Sequence, residues 1–309
     1  MSVAISPLES EVKANTKAAL FINPNSRQGD SAKIDDYLNR LQGAGITVQR
    51  FESRGTNETC KHIINLTKDT DLVIVGGGDG SISAVVEQIY KSGKTLAVLP
   101  LGTANDFARS IGIYDIDDAC NAIANNRRRR INLGKVNDHY FLNVAHIGLG
   151  VDVTHELTSE VKKRWGIFAY LAALTQALKR NKSFKVKIQT ENWQHKMRSV
   201  HLAVGNGRFY GGGNIIHEDS TVFDGKLSFF SIKPLKWWQL LMLAPSLRFG
   251  TLQNTHTTVC NTATSLKVTT KRPLELEADG ELITRTPATF AVIESAIEVI
   301  VGEEAYLAK

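Results

Sequence analysis

The amino-acid sequence predicts an N-terminal, Rossmann-like doubly wound α/β domain followed by a C-terminal antiparallel β-sandwich domain. Two patterns carry this fold class. Up to about Asn125, apolar strand runs alternate with helix-period segments, the rhythm of a parallel sheet with helices on both faces. After the basic break Asn125-Asn126-Arg127-Arg128-Arg129-Arg130, short β-like runs separated by turn residues take over, the pattern of an antiparallel sandwich or barrel. A chain of 309 residues has room for about two domains. The expected division is 16–128 and 129–294, with the tail at about 295–309 packing back on the first.

In chain order, Lys17–Ile22 is a short apolar strand closing on the turn signal Asn23-Pro24. Ala32–Leu41 places Ile34, Tyr37, Leu38 and Leu41 at helical spacing and stops before Gly43 and Gly45. Ile46–Phe51 is the second strand and Asn57–Leu66 the second helix. Asp71–Val75 and Leu96–Leu99 are continuous apolar runs of the kind buried on both faces, with a helix over Ser81–Tyr90 between them. Beyond the arginines, β-runs are read at Arg130–Val136, Tyr140–Ala145, Phe184–Thr190, Ser199–Asn206, Lys226–Ile232, Ser265–Thr270, Leu274–Ala278, Ala288–Val292 and Ile297–Val301. Helices over Trp165–Arg180 and Lys236–Phe249 interrupt them.

Composition narrows the class. Hydrophobic residues at 42% and charged residues at 22% are ordinary for a soluble globular chain. The net charge of +6 permits a phosphate-rich ligand or an anionic surface without requiring either. Cys60, Cys120 and Cys260 stand far apart, with no metal-ligand spacing, and read as reduced structural thiols in a cytoplasmic protein. The two most apolar stretches, Trp165–Leu178 and Trp237–Leu247, fall short of the roughly 20 residues of a spanning helix. The N-terminus lacks the apolar core of a signal peptide. The run Arg127–Arg130 reads as a solvated cluster at a hinge or as a contact for anionic headgroups, and Trp237-Trp238 as an interfacial pair. No recognised nucleic-acid module accompanies the arginines, so nucleic acid is not an expected partner.

Two loops carry the chemistry. Gly76-Gly77-Gly78-Asp79-Gly80-Ser81 follows a buried strand and opens a helix, where glycines let the backbone approach a phosphate and N–H groups receive an anion. Ser81 can cap the helix or donate to phosphate. Asp79 would repel a phosphate and makes sense with a bound Mg²⁺. Leu99-Pro100-Leu101-Gly102-Thr103-Ala104-Asn105-Asp106-Phe107-Ala108-Arg109 again follows a buried strand. Its Thr103, Asn105 and Asp106 fall at the mouth of the sheet, where open α/β folds bind ligands. A Walker A loop at Gly93-Lys94-Thr95 would need a glycine where Gln88 stands, and Ser81 breaks the dinucleotide fingerprint begun by Gly76 and Gly78.

GGGDGS followed by PLGTANDFAR resembles the diacylglycerol kinase catalytic-domain family, with its soluble bacterial lipid kinases and its sphingosine and ceramide kinase relatives. The resemblance extends from Ala18 over nearly the whole chain. Asn23-Pro24-Asn25-Ser26 resembles the family's turn beside the nucleotide, with Arg27 where glycine is usual. Phe223-Asp224-Gly225-Lys226-Leu227 resembles a segment whose aspartate binds a structural Mg²⁺ with nearby carbonyls, here those of Thr221 and Lys226. Ala278-Asp279-Gly280-Glu281 resembles the motif whose glutamate is the general base. Ser83 and Ala84 depart from the family's asparagine and glutamate.

The resemblance implies an ATP-dependent lipid kinase transferring the γ-phosphoryl to diacylglycerol or a related lipid hydroxyl. Residues 16–128 would bind nucleotide and 129–294 the lipid. Asn23, Gly77, Gly78, Asp79, Gly80, Ser81, Thr103 and Asn105 would hold ATP, Asp79 and Asp106 would position Mg²⁺, and Glu281 would take the hydroxyl proton. Phe168, Tyr170, Leu171 and Leu174 are candidate walls of a lipid groove. The implied protein is peripheral at a membrane surface, and a homodimer is compatible with it. The alternatives are an NAD kinase, which shares the glycine loop, and a module that binds lipid or nucleotide without turnover.

Overall fold

The computed structural model describes residues 16–22, 31–51, 55–148, 183–210, 213–217, 219–236, 239 and 256–308. Two compact units divide the chain, one reaching Ile131 and resuming at Ala296, the other formed by Asn132–Ser295. The helix read over Trp165–Arg180, nearly all of that over Lys236–Phe249, the Asn23 turn and the side chains of Phe168, Tyr170, Leu171, Leu174, Trp237 and Trp238 lie outside the described residues.

The first unit alternates β1 (Thr16–Ile22), α1 (Ser31–Gly43), β2 (Ile46–Phe51), α2 (Thr56–Ile64), β3 (Thr70–Gly77), α3 (Asp79–Ser83), α4 (Val86–Ser92), β4 (Thr95–Pro100), α5 (Asp106–Ser110) and α6 (Ile116–Ala124). Its strands pair in parallel in the order β2-β1-β3-β4. Leu72–Val75 and Leu96–Leu99 are buried throughout, as continuous apolar strands covered on both faces should be. The single helix read over 81–90 is two: a turn at Ala84-Val85 separates α3 from α4. Ile82, Val85, Val86 and Ile89 all remain in the core. The turn brings the adjacent β-branched pair Val85-Val86 inward together, which explains why the apolar period survives a break in the helix.

Three members of the arginine run, Arg127, Arg128 and Arg129, are not a solvated cluster but are engaged within the first unit. Arg128, one-fifth exposed, pairs with Asp71 Oδ2 at 2.7 Å and Glu298 Oε2 at 3.0 Å and donates to Thr95 Oγ1 at 2.9 Å. It thereby ties the starts of β3 and β4 to the last strand of the chain. Arg127 pairs with Glu303 at 3.0 Å. Arg129 donates to the carbonyls of Ala305 and Ala308, at the end of α7 (Glu303–Leu307), where helix carbonyls lack internal partners.

The second unit is an antiparallel sandwich. One layer joins β8 (Phe184–Gln189), β9 (Gln194–Ser199), β15 (Ser265–Thr270) and β18 (Ala288–Ile300), in the order β9-β8-β15-β18. β5 (Arg128–Val136) pairs with β18 and with β6 (His139–Phe141). The other layer orders β7 (Val144–Gly148), β10 (His201–Gly205), β13 (Leu227–Ile232), β14 (Thr258–Ala263), β16 (Glu275–Ala278) and β17 (Glu281–Arg285) as β14-β13-β10-β7-β16-β17. β11 (Phe209–Tyr210) and β12 (Asn214–Ile215) form a separate pair. Val186, Ile188, Leu266, Val268 and Phe290 from one layer pack with Leu202, Val204, Phe229 and Leu276 from the other. The two strands read at 288–292 and 297–301 are one, β18; Ser295, at φ 49°, interrupts its alternation, and its N–H donates to Asn132 Oδ1 at 3.2 Å.

Candidate active site

The two glycine-bearing loops leave the C-terminal ends of neighbouring strands. β3 and β4 are paired through Gly76↔Leu99 and Gly77↔Pro100, so their loops start side by side. The loops touch backbone to backbone. A Cβ on Gly102 would lie well inside 3 Å of Gly78 Cα and 2.7 Å from Asn105 Oδ1, and one on Gly78 would lie 3.1 Å from Gly102 Cα. Gly102 therefore needs glycine for close approach, and a side chain at Gly78 would be tight against it. Leu101 N–H donates to Gly77 O at 3.1 Å and continues the pairing beyond the strand ends.

Polar side chains fix this pair of loops. Asn105 sits in the left-handed region, at φ 52° and ψ 43°, as the residue before α5. Its Oδ1 accepts from Gly102 N–H at 3.0 Å, and its Nδ2 donates to Gly102 O at 3.1 Å and Pro100 O at 3.4 Å. The whole amide is thus engaged by its own loop. Asp79 opens α3 and crosses to the other loop: Oδ2 accepts from Asp106 N–H at 3.1 Å and Oδ1 from Phe107 N–H at 2.9 Å. A carboxylate twenty-seven residues upstream supplies the N-terminal cap of α5. Thr103 is exposed near the loop tip. Ser81 lies inside α3 rather than at its cap, which is Gly78. Gly80 is exposed, and Asp106 is buried at 3% exposure. Gly77, Gly78, Asp79, Gly80, Ser81, Thr103, Asn105 and Asp106 are thus brought together, while Asn23 lies outside the described residues.

In the second unit, Asp279-Gly280 is the two-residue turn between β16 and β17, with φ 49° and 93°, the left-handed pair that a tight hairpin requires. Glu281 follows it, exposed. The turn is anchored by Asp279, whose carboxylate accepts from Leu142 N–H at 2.7 Å and from Asn143 and Val144 N–H at 3.0 Å each. Asp224 closes its own exposed turn: Oδ2 accepts from Thr221 N–H at 3.0 Å and Oδ1 from Lys226 N–H at 2.8 Å. Among the described residues no group of three or more His, Cys, Asp or Glu side chains could hold a metal ion.

Sequence reasoning missed a buried polar group on the sheet of β7, β10 and β16. His146 lies directly across from Glu277, with Nε2 3.5 Å from Oε1, and its ring is 5.8 Å from that of His201. Burial pushes His146 down to about 4 and His201 to about 3, with His146 a further cause for His201. Both are therefore neutral at neutral pH, and the contact with Glu277 is not an ion pair there. The only sequence signal was two histidines at alternate positions of otherwise apolar strands.

A family model described as the diacylglycerol kinase catalytic domain matches residues 17–136, and one described as the YegS C-terminal NAD kinase beta sandwich-like domain matches 145–301. A probable lipid kinase YegS-like protein of Alcanivorax borkumensis is 30% identical over 237 residues, covering 75% of this chain and 79% of the relative. A diacylglycerol kinase of Bacillus subtilis is 28% identical over 273 residues, covering 83% and 90%. A putative diacylglycerol kinase structure from Bacillus anthracis superposes with a TM-score of 0.76 at 24% identity, covering 96% of this chain and 98% of the other; that likeness speaks for the fold.

Proposed function

Because the chain belongs to the diacylglycerol kinase catalytic-domain family, we propose that it is an ATP-dependent lipid kinase, transferring the γ-phosphoryl of ATP to the hydroxyl of diacylglycerol or a related lipid. The observation that carries the reading is the apposition of Gly78 and Gly102, braced by Asp79 and Asn105. It leaves two loops free of side-chain bulk at the C-terminal edge of a parallel sheet, where backbone N–H groups can meet phosphates.

The roles follow from the donors each residue offers. Gly77, Gly78, Gly80, Ser81 and Thr103 would line the phosphate side with backbone and hydroxyl groups, and the resemblance of its turn assigns Asn23 to the nucleotide as well. Asn105 holds its loop in shape and acts as a positioning residue, because its amide is already engaged. Asp79 and Asp106 offer the hard carboxylate oxygens that suit Mg²⁺, which supplies charge neutralisation at the transferred phosphoryl group. Glu281 accepts the proton of the lipid hydroxyl as that oxygen attacks phosphorus. A structural Mg²⁺ is assigned to Asp224 with the carbonyls of Thr221 and Lys226; there the carboxylate already holds two N–H donors, so the turn closes without a cation. Peripheral binding at a membrane surface follows from the substrate, and among the described residues no helix is long and apolar enough to cross a membrane.

The test is ATP consumption measured alone, with mixed micelles of diacylglycerol, and with NAD. Stimulation by the lipid supports the proposal. Stimulation by NAD alone would replace it with an NAD kinase, and nucleotide binding without turnover in any mixture with a binding module.

A further inference from the structure

The second unit carries a one-signed surface that the phosphoryl-transfer chemistry does not use. Along β8, buried Val186 and Ile188 alternate with Lys185, Lys187 and Gln189; along β15, buried Leu266 and Val268 alternate with Ser265, Lys267 and Thr269. Gln194, Lys196 and Arg198 fall on the same outward face of β9. Lys185 stands directly opposite Arg198, and Lys187 opposite Lys196. Lys267 stands opposite Gln189 on one side and Thr289 on the other. Lys185, Lys196, Arg198 and Lys267 are exposed and Lys187 half-buried.

Among the described residues, no acidic side chain on this face balances the five cations. None of them makes an ion pair among the described residues. Arg198 donates to the neutral Ser183 Oγ at 2.6 Å. The other outward side chains are Gln, Ser and Thr, and the one acid in β8, β9 and their connection is Glu191, in the hairpin turn. Like charges directly opposite on paired strands are destabilising. Two such pairs side by side cost the sheet some stability and return nothing to the fold, as expected of a surface shaped for an anionic partner.

We propose that the outward face of β9, β8 and β15 docks this protein on an anionic lipid bilayer. The five cations attract a negative leaflet, each basic residue near the surface strengthening binding roughly fivefold, and the attraction fades over about 8 Å at physiological salt. The face is an open antiparallel ladder without an outward aromatic side chain, whereas single-stranded nucleic acid is held by aromatic stacking. The choice of a lipid partner rests on the lipid-kinase reading; the surface itself does not.

The experiment compares the full chain with the triple variant Lys187→Gln, Lys196→Gln, Arg198→Gln, without ATP. The probes are vesicles of phosphatidylcholine alone, vesicles mixed with phosphatidylglycerol, and a single-stranded oligonucleotide. The parent should sediment with the mixed vesicles at low salt, be released by added salt, and ignore pure phosphatidylcholine. The triple variant should bind the mixed vesicles about a hundredfold more weakly. It should melt no lower than the parent, because repulsion has been removed. Lys196→Glu, which places an acid opposite Lys187, should likewise weaken vesicle binding without lowering the melting temperature. Equal sedimentation of parent and variants, or binding of the oligonucleotide in place of the mixed vesicles, overturns the proposal. Phosphoryl transfer to diacylglycerol in detergent micelles, where no anionic leaflet exists, should be equal in parent and triple variant. Patch-dependent vesicle binding without any transfer would sink the kinase reading and leave the surface standing; transfer with patch-independent binding would do the reverse.

Discussion

Removing the Asp279 carboxylate should unlock the hairpin that presents Glu281. The carboxylate accepts three backbone N–H bonds, from Leu142, Asn143 and Val144 at 2.7–3.0 Å. A hydrogen bond to a charged group contributes about 1.5–3 kcal/mol, and a buried N–H left without an acceptor costs about 1–3 kcal/mol. Asp279 itself is half-buried, so water relieves part of the loss. Asp279→Ala should therefore destabilise by about 3–5 kcal/mol, on the order of 6–20 °C in melting temperature for a unit of this size. Alanine adds left-handed strain at φ 49°, of about 1–2 kcal/mol. Asp279→Gly removes the carboxylate without that strain and isolates the hydrogen-bond contribution. Asp279→Asn keeps the shape and tolerates the backbone, but its one neutral oxygen should lose about 2 kcal/mol. Urea unfolding followed by tryptophan fluorescence reads this unit, because Trp193 packs 6.0 Å from Phe229. If both Asp279→Ala and Asp279→Gly lost less than about 1 kcal/mol, the anchoring argument would be wrong.

Three other outcomes follow from the same geometry. Gly102→Ala drives a Cβ into Gly78 and Asn105, so ATP affinity, measured by calorimetry, should fall at least tenfold while overpacking lowers stability by about 1–3 kcal/mol; unchanged affinity would separate the loop contact from the nucleotide site. Asp224→Ala should lower the melting temperature through loss of two turn hydrogen bonds and abolish the rise in melting temperature with added Mg²⁺; a rise that persists in the variant would reject the cation assigned there. His146 and His201 are held at about 4 and about 3 by burial, below the unfolded value near 6.5, so the unfolded chain takes up protons first as pH falls. Stability is complete above about pH 6.5 and is lost toward pH 4, by about 2 kcal/mol per histidine between pH 7 and 5; His146→Gln should flatten that slope in urea titrations, and an unaltered slope would contradict it.

The parallel sheet was legible because its strands are buried on both faces, and continuous apolar runs such as Asp71–Val75 have few other uses. The glycine loops were legible because each follows such a strand directly. β9 was not, because Gln194–Ser199 has only Met197 as an apolar inward residue, and its identity as a strand comes from pairing with β8. Helix capping at a distance was equally hidden: no local pattern says that Asp79 caps α5, or that Asp279 holds the start of β7. Arg127–Arg129 misled for the same reason, since their partners Asp71, Glu298 and Glu303 are remote in sequence.

Phosphoryl transfer from ATP to a lipid hydroxyl is measured directly by following the γ-phosphate of radiolabelled ATP into the organic phase of a total lipid extract. Mg²⁺-dependent label should appear in a phosphorylated lipid with the parent chain. It should fall to background with Asp79→Asn and with Glu281→Gln, both folded by circular dichroism. Label that stays in the aqueous phase as inorganic phosphate or phosphorylated NAD, or lipid label undiminished in both variants, would contradict this reading.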